Sequence, residues 1–175
     1  MISFEYDHAL LRPRIRPPVS KITNERPINI KGEVILLFGM LEGRGQISGK
    51  SVVYDPQSEQ NPARFRSGGN KAARLGIVLN QAELQGLTGI TDLKNGTLQL
   101  MRMERAYAIF VKQGAAGVYV GESGRWRQVP AYFSERVIPI GSGDIFSAAI
   151  ALFWGKLGIS APAAADLASR CVADY

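Results

Sequence analysis

One cysteine and one histidine are all that the 175 residues contain of either type. A lone Cys171 excludes an intrachain disulfide and a cysteine-based zinc site, and it suits a reducing cytoplasm. His8 is the only residue that could serve a Ser-His-Asp triad. Nothing near it resembles a nucleophile elbow, so hydrolase chemistry of that kind is not expected. Long hydrophobic runs are also missing. The longest, around residues 148–154, is too short to span a bilayer. The start of the chain lacks the basic-then-apolar pattern of a signal peptide. No internal repeats or low-complexity tracts occur.

Apolar residues make up 46% of the chain and charged residues 21%, enough core for one α/β domain and too little charge for disorder. The net charge of +6 favours anionic ligands such as nucleotides or nucleic acid. Its densest part, Arg12, Arg14, Arg16, Lys21, Arg26 and Lys31, is interleaved with Pro and Ile. It carries no RNA- or DNA-binding motif, so nucleic acid is not the expected partner.

Residues 1–33 read as an irregular lead-in: a short strand at residues 2–6, then Pro13, Pro17, Pro18 and Pro27. From residue 34 the pattern is regular. Continuous apolar runs at 34–38, 51–54, 75–79 and 108–111 have the character of strands buried on both faces, as in a parallel sheet. Helical stretches follow at 81–87 and 92–104, the second with Leu93, Thr97, Leu100, Met101 and Met103 as inner positions. Residues 118–120 and 125–129 flank glycines and predict a hairpin. A helix from Asp144 to about Leu157 ends at Gly158, and Ser160 is placed to cap a last helix over 161–173. Asn95-Gly96-Thr97 reads as a turn, as does Ser67-Gly68-Gly69-Asn70. Strands alternating with helices mean α/β with right-handed crossovers.

Ligands in such sheets bind beyond the carboxyl ends of the strands, and three features fall there. Asn80 and Glu83 stand three apart at a helix start. They fit a capping box, and they equally fit a pair that holds a hydrated Mg²⁺. Lys112, Gly114 and Gly117 form a short glycine loop after the fourth run; it is either a plain connection to the hairpin or a loop that approaches phosphates. Gly141, Ser142, Gly143 and Asp144 open a helix. Ser and Asp are common capping residues, while glycines at a helix N-terminus also admit an anion to unpaired N–H groups.

Taken together and in this order, the three features resemble the PfkB (ribokinase-like) carbohydrate kinase family: an Asn-x-x-Glu motif, a strand ending in a glycine turn, a hairpin, then Gly-x-Gly-Asp at a helix start. The resemblance covers roughly residues 34–175, with Gly141-Ser142-Gly143-Asp144-Ile145-Phe146-Ser147 its most specific part. It implies a three-layer ribokinase-like fold with a mainly parallel central sheet, as a single partial kinase domain over residues 1–175. It implies an ATP- and Mg²⁺-dependent kinase acting on a hydroxyl of a sugar or nucleoside. Asp144 would be the catalytic base, and Gly141, Ser142 and Gly143 would supply N–H groups to the developing charge. Asn80 and Glu83 would organise Mg²⁺. Lys112, Gly114 and Gly117 would meet the nucleotide, with adenine near Val137, Ala165 and Ala168.

Two departures temper that expectation. Where the family commonly has an Asp-Thr-Thr segment that helps bind a monovalent cation, this chain has Ile138-Pro139-Ile140. The family's N-terminal strands, acidic sugar-binding residue and lid have no counterpart among these residues. The expectation is therefore a carbohydrate kinase or only its catalytic half, the chain being a fragment, a homodimer or one that needs a complementing N-terminal chain; the alternative is a truncated, non-catalytic homologue that binds nucleotide or a partner.

Overall fold

The computed structural model describes residues 3–5, 14–18, 21–22, 27–39, 45–58, 61–135 and 140–175. His8, Val137, Ile138 and Pro139 lie outside them. A small two-stranded ribbon comes first, β1 (Ser3–Glu5) antiparallel to β2 (Arg14–Arg16). The main sheet has six strands in sequence order: β3 (Ile28–Phe38), β4 (Gly45–Asp55), β5 (Lys71–Asn80), β6 (Ala108–Lys112), β7 (Val118–Glu122) and β8 (Arg125–Val129). β3 to β6 are parallel, while β7 and β8 return antiparallel.

All four apolar runs lie in strands. Adjacent residues in a strand point to opposite faces, and here both faces are covered. Val53, Val78 and Phe110 belong to a core shared with Ile150, Trp154 and Ala164, whereas Val52, Ile77 and Ile109 pack with Leu84 and Leu100. The first core is roofed by α3 (Ser142–Ile150), a π-helical segment (Ala151–Lys156) and α4 (Ala161–Asp174). The second lies under α1 (Gln81–Thr88) and α2 (Leu93–Glu104). The result is the expected three-layer α/β arrangement.

Several expectations needed correction. The main sheet begins at Ile28, inside the stretch read as irregular. Residues 28–33 are exposed, so burial does not reveal them; they are held by parallel pairing, with Ile28 opposite Gly45 and Gly32 opposite Gly49. Asn95, Gly96 and Thr97 are no turn. They lie in the first turns of α2, with Gly96 and Thr97 buried and the Asn95 N–H on the Asp92 carboxylate at 2.8 Å. The helix expected from Asp144 starts at Ser142, and its second half is wound as a π-helix. Ser160 makes no side-chain cap to α4. Glu122 does that work from β7, accepting the Ala161 N–H at 3.0 Å and the Trp154 indole N–H at 3.3 Å.

Ser67–Asn70 is a turn, as expected. Gly69 takes φ 76°, and Asn70 ties the turn to β4 by accepting the Ile47 N–H at 2.8 Å. The hairpin between β7 and β8 closes through Ser123 and Gly124, at φ 51° and 75°. Two consecutive positive φ values make the tight turn whose twist suits the flanking strands.

Candidate active site

The parallel strands end together. β4 stops at Asp55, β5 at Asn80 and β6 at Lys112, and the N-terminus of α3 faces them. Asp55 is the anchor. It is 1% exposed, and its carboxylate joins two other elements, α3 through Ser147 and β6 through Lys112. Its Oδ2 accepts the Ser147 hydroxyl at 2.7 Å and the Lys112 ammonium at 3.1 Å, and its Oδ1 accepts the Gln57 N–H at 3.2 Å. A buried carboxylate needs such partners because burial strips away its water. The effect is to hold the first turns of α3 against the ends of β4 and β6.

The two helix starts resolve differently. At α1 the capping box is fully formed: Asn80 Oδ1 accepts the Glu83 N–H and Glu83 Oε2 accepts the Asn80 N–H, both at 2.8 Å. Burial raises the Glu83 carboxyl above its ordinary range. The Asn80 N–H and the Lys112 charge oppose the rise, and the nearby Asp55 charge adds to it. At α3 there is no side-chain cap. Gly141 is the N-cap residue at φ 91°, and Asp144 in the first turn is exposed. Its Oδ1 accepts the Gln57 side-chain amide at 2.5 Å instead of turning back onto its own helix.

The glycines have distinct duties. A Cβ on Gly143 would lie 3.4 Å from Lys112 Nζ, so the glycine leaves a cradle between the helix start and the ammonium. A Cβ on Gly141 would meet the Tyr175 hydroxyl at 3.1 Å. Gly114, at φ 58°, borders open space. Gly117 is fixed for another reason: a Cβ there would lie 2.1 Å from the Val129 carbonyl oxygen, so close packing against β8 requires it.

Asp144, Gly143, Lys112 and the end of β5 thus share one end of the sheet. Ala165 and Ala168 do not join them. Both are fully buried in the core beneath α4 and offer no surface to a nucleotide. The exposed surface near Gly141 is at the other end of α4, where Ala173 and Asp174 border shallow grooves with Phe133 and Tyr175. Sequence reasoning missed Asp55 and Gln57, and it quoted Ser147 within the glycine-led run without its contact to Asp55. The only signal was Asp55-Pro56 directly after a buried run, which reads equally as a strand terminator.

Beside Gly143 the first-turn N–H groups that lack intrahelical partners and the Lys112 ammonium come together, a chemistry that suits an anion. A metal fits less directly. No group of three or more His, Cys, Asp or Glu able to hold an ion is present among the described residues. The Asn80 and Glu83 oxygens that form the capping box are turned onto backbone N–H groups.

No family model matches the chain, and no curated protein matches it by sequence. Solved structures do match. Ribokinase from Thermotoga maritima aligns with a TM-score of 0.58 and 19% identity over 72% of this chain. The nucleoside kinase of Burkholderia thailandensis in complex with inosine gives 0.54 and 22% over 70%. Fructokinase from Vibrio cholerae O395, bound to fructose, ADP and calcium, gives 0.54 and 21% over 72%. The alignments cover 42%, 40% and 44% of those chains, so this chain spans less than half their length. The fold is ribokinase-like.

Proposed function

We propose that this chain carries the nucleotide side of an ATP-dependent kinase that phosphorylates a hydroxyl of a sugar or nucleoside. The observation that carries the reading is Asp144. It stands in the first turn of a glycine-led helix, uncapped and exposed, facing strand ends that present Lys112. A carboxylate that is not spent on capping its own helix is available for proton transfer.

ATP, bound as its Mg²⁺ complex, supplies the γ-phosphoryl group. Asp144 accepts the proton of the acceptor hydroxyl as that oxygen attacks. The first-turn N–H groups at Ser142 and Gly143, with the helix dipole behind them, stabilise charge on the phosphoryl oxygens. Gly141 sets the entry to the helix in a left-handed conformation. Lys112 lies across the cradle from Gly143 and offsets phosphate charge. Gly114 leaves room for the phosphates, whereas Gly117 shapes the loop by packing on β8. Asn80 and Glu83 hold the carboxyl end of β5 in place through their capping box, and they are the residues that would organise a hydrated Mg²⁺ there. Phosphoryl transfer asks for positioning and charge stabilisation above all, and these residues supply both.

The solved kinases of this fold act on ribose, nucleoside and fructose by their names and bound ligands, and the acceptor proposed here is of that class. Acceptor contacts would be added by a further stretch of the same protein, a second copy or a complementing chain, and the edge strand β3 is where further strands would join. A reducing cytoplasm, which the single Cys171 suits, is the proposed location; no helix among the described residues is long and apolar enough to cross a membrane. The test is ADP release from ATP and Mg²⁺ against a panel of sugars and nucleosides. Release that depends on one acceptor class supports the reading, and no release above the acceptor-free background with any of them contradicts it.

A further inference from the structure

Gln57 occupies a turn that the structure constrains from several sides. The Gly39 N–H reaches the Asp55 carbonyl at 2.7 Å, and a Cβ on Gly39 would lie 1.9 Å from the Pro56 carbonyl oxygen. The ends of β3 and β4 are therefore in backbone contact. The buried Asp55 Oδ1 then accepts the Gln57 N–H at 3.2 Å. Between these anchors Gln57 takes φ 48°, a left-handed conformation that a non-glycine residue adopts only where its surroundings over-determine it. Glycine would fit that backbone more easily. What glycine lacks is the side chain, and the Gln57 side chain ends on Asp144 Oδ1 at 2.5 Å.

The chemistry of the donor matters. Lys112 is the nearby cation, and it is bound to Asp55 at 3.1 Å. Asp144 receives an uncharged amide instead. An amide orients a carboxylate without neutralising it, so the charge that attracts a proton is kept. One oxygen is held and the other is left to face an incoming hydroxyl.

We propose that Gln57 is a positioning residue for Asp144: its amide, aimed by the Asp55–Pro56–Gln57 turn, fixes the rotation of the carboxylate that accepts the acceptor's proton. The proposal deepens the kinase reading and rests on it.

Two measurements test it together. The first is the side-chain amide resonance of Gln57 by ¹⁵N NMR in the wild-type chain and in Asp144→Ala. The second is steady-state kinetics of Gln57→Gly and Gln57→Glu with ATP and the acceptor found active. Gln57→Gly suits the backbone and removes the donor; Gln57→Glu keeps the shape and replaces the amide by a second carboxylate. The expected results are a shifted amide resonance in Asp144→Ala and a fall in kcat of about tenfold or more in both Gln57 variants. KM for ATP and acceptor should stay within about twofold, and the thermal midpoint of Gln57→Gly within a few degrees of wild type. An unmoved resonance overturns the contact, and unchanged kcat in both variants overturns its catalytic role. A wild-type chain without turnover overturns the kinase reading and the positioning role with it; the resonance then shows whether the contact itself exists.

Discussion

Ser147 and Asp55 stand 92 positions apart in the chain, and the hydroxyl of one donates to the carboxylate of the other at 2.7 Å. Both are buried, Ser147 at 0% and Asp55 at 1% exposure. Through this bond the helix that carries Asp144 is fastened to the strand whose end carries Gln57. The candidate site is thus assembled from all three thirds of the chain, through Asp55 and Gln57, Lys112, and Asp144 and Ser147, around one buried carboxylate.

Ser147→Ala should destabilise the fold without touching the open face of the site. Removing one donor from a buried acceptor costs about 1–3 kcal/mol. For a domain of this size that lowers the melting temperature by roughly 2–4 °C per kcal/mol. Differential scanning calorimetry measures it, and a melting temperature equal to wild type would show that the bond contributes nothing.

Lys112→Met should weaken ATP. The ammonium lies across the cradle from Gly143, and loss of that charge is expected to raise the ATP dissociation constant about tenfold, or ~1.4 kcal/mol. Some loss of stability accompanies it, because Asp55 loses its ion-pair partner. Titration calorimetry reads the affinity directly; an unchanged constant would remove Lys112 from the nucleotide site.

Glu83 predicts a pH dependence of stability. Burial is the main cause of its raised pKa, from an ordinary 4.5. An acid with a higher pKa folded than unfolded binds more protons in the native state between those two values, so its contribution to stability falls as pH rises through that window. Glu83→Gln keeps an oxygen for the Asn80 N–H and removes the titration. Urea midpoints measured from about pH 4 to about pH 8 should therefore decline less steeply in the variant. Parallel curves would contradict the assignment.

Glu122→Ala should loosen the roof over the sheet. Glu122 receives both the Ala161 N–H and the Trp154 indole N–H. Arg74 lies 4.0 Å from it and stacks 3.9 Å over the Trp154 ring. Removing the carboxylate leaves a helix N-terminus and a fully buried indole without their acceptor, at about 1–3 kcal/mol. Hydrogen exchange should speed up at the start of α4 while α1 and α2 remain unchanged. Uniform exchange across all helices would contradict this local role.

How much of this was legible beforehand depends on what holds each residue. β4, β5 and β6 were readable because Val, Ile and Leu run without alternation where both faces are covered, and the half-buried end of the edge strand β3 carries the same pattern. The start of β3 was hidden, since residues 28–33 gain pairing with β4 but little burial. Asn80 and Glu83 showed their spacing but not their use: the same Asn-x-x-Glu serves a cap and a cation equally, and the fold shows the cap formed. Ser160 had the right residue type for a cap and lost that place to Glu122, a strand residue 39 positions from Ala161. The Asp55, Gln57 and Ser147 contacts, spanning 87 and 92 positions, leave no periodic trace in the sequence. Gly141–Asp144 was the most legible feature of the site, because a helix start and its glycines are local properties.

The central claim is that Asp144 is the base of a phosphoryl transfer, and the most direct measurement compares wild type with Asp144→Asn. ADP release is followed in the presence of ATP, Mg²⁺ and the active sugar or nucleoside, with ATP affinity measured in parallel. General-base catalysis contributes about 10²–10⁴-fold, so turnover should fall at least a hundredfold while the ATP dissociation constant stays within a few-fold of wild type. Acceptor-dependent turnover that survives Asp144→Asn undiminished would contradict the account.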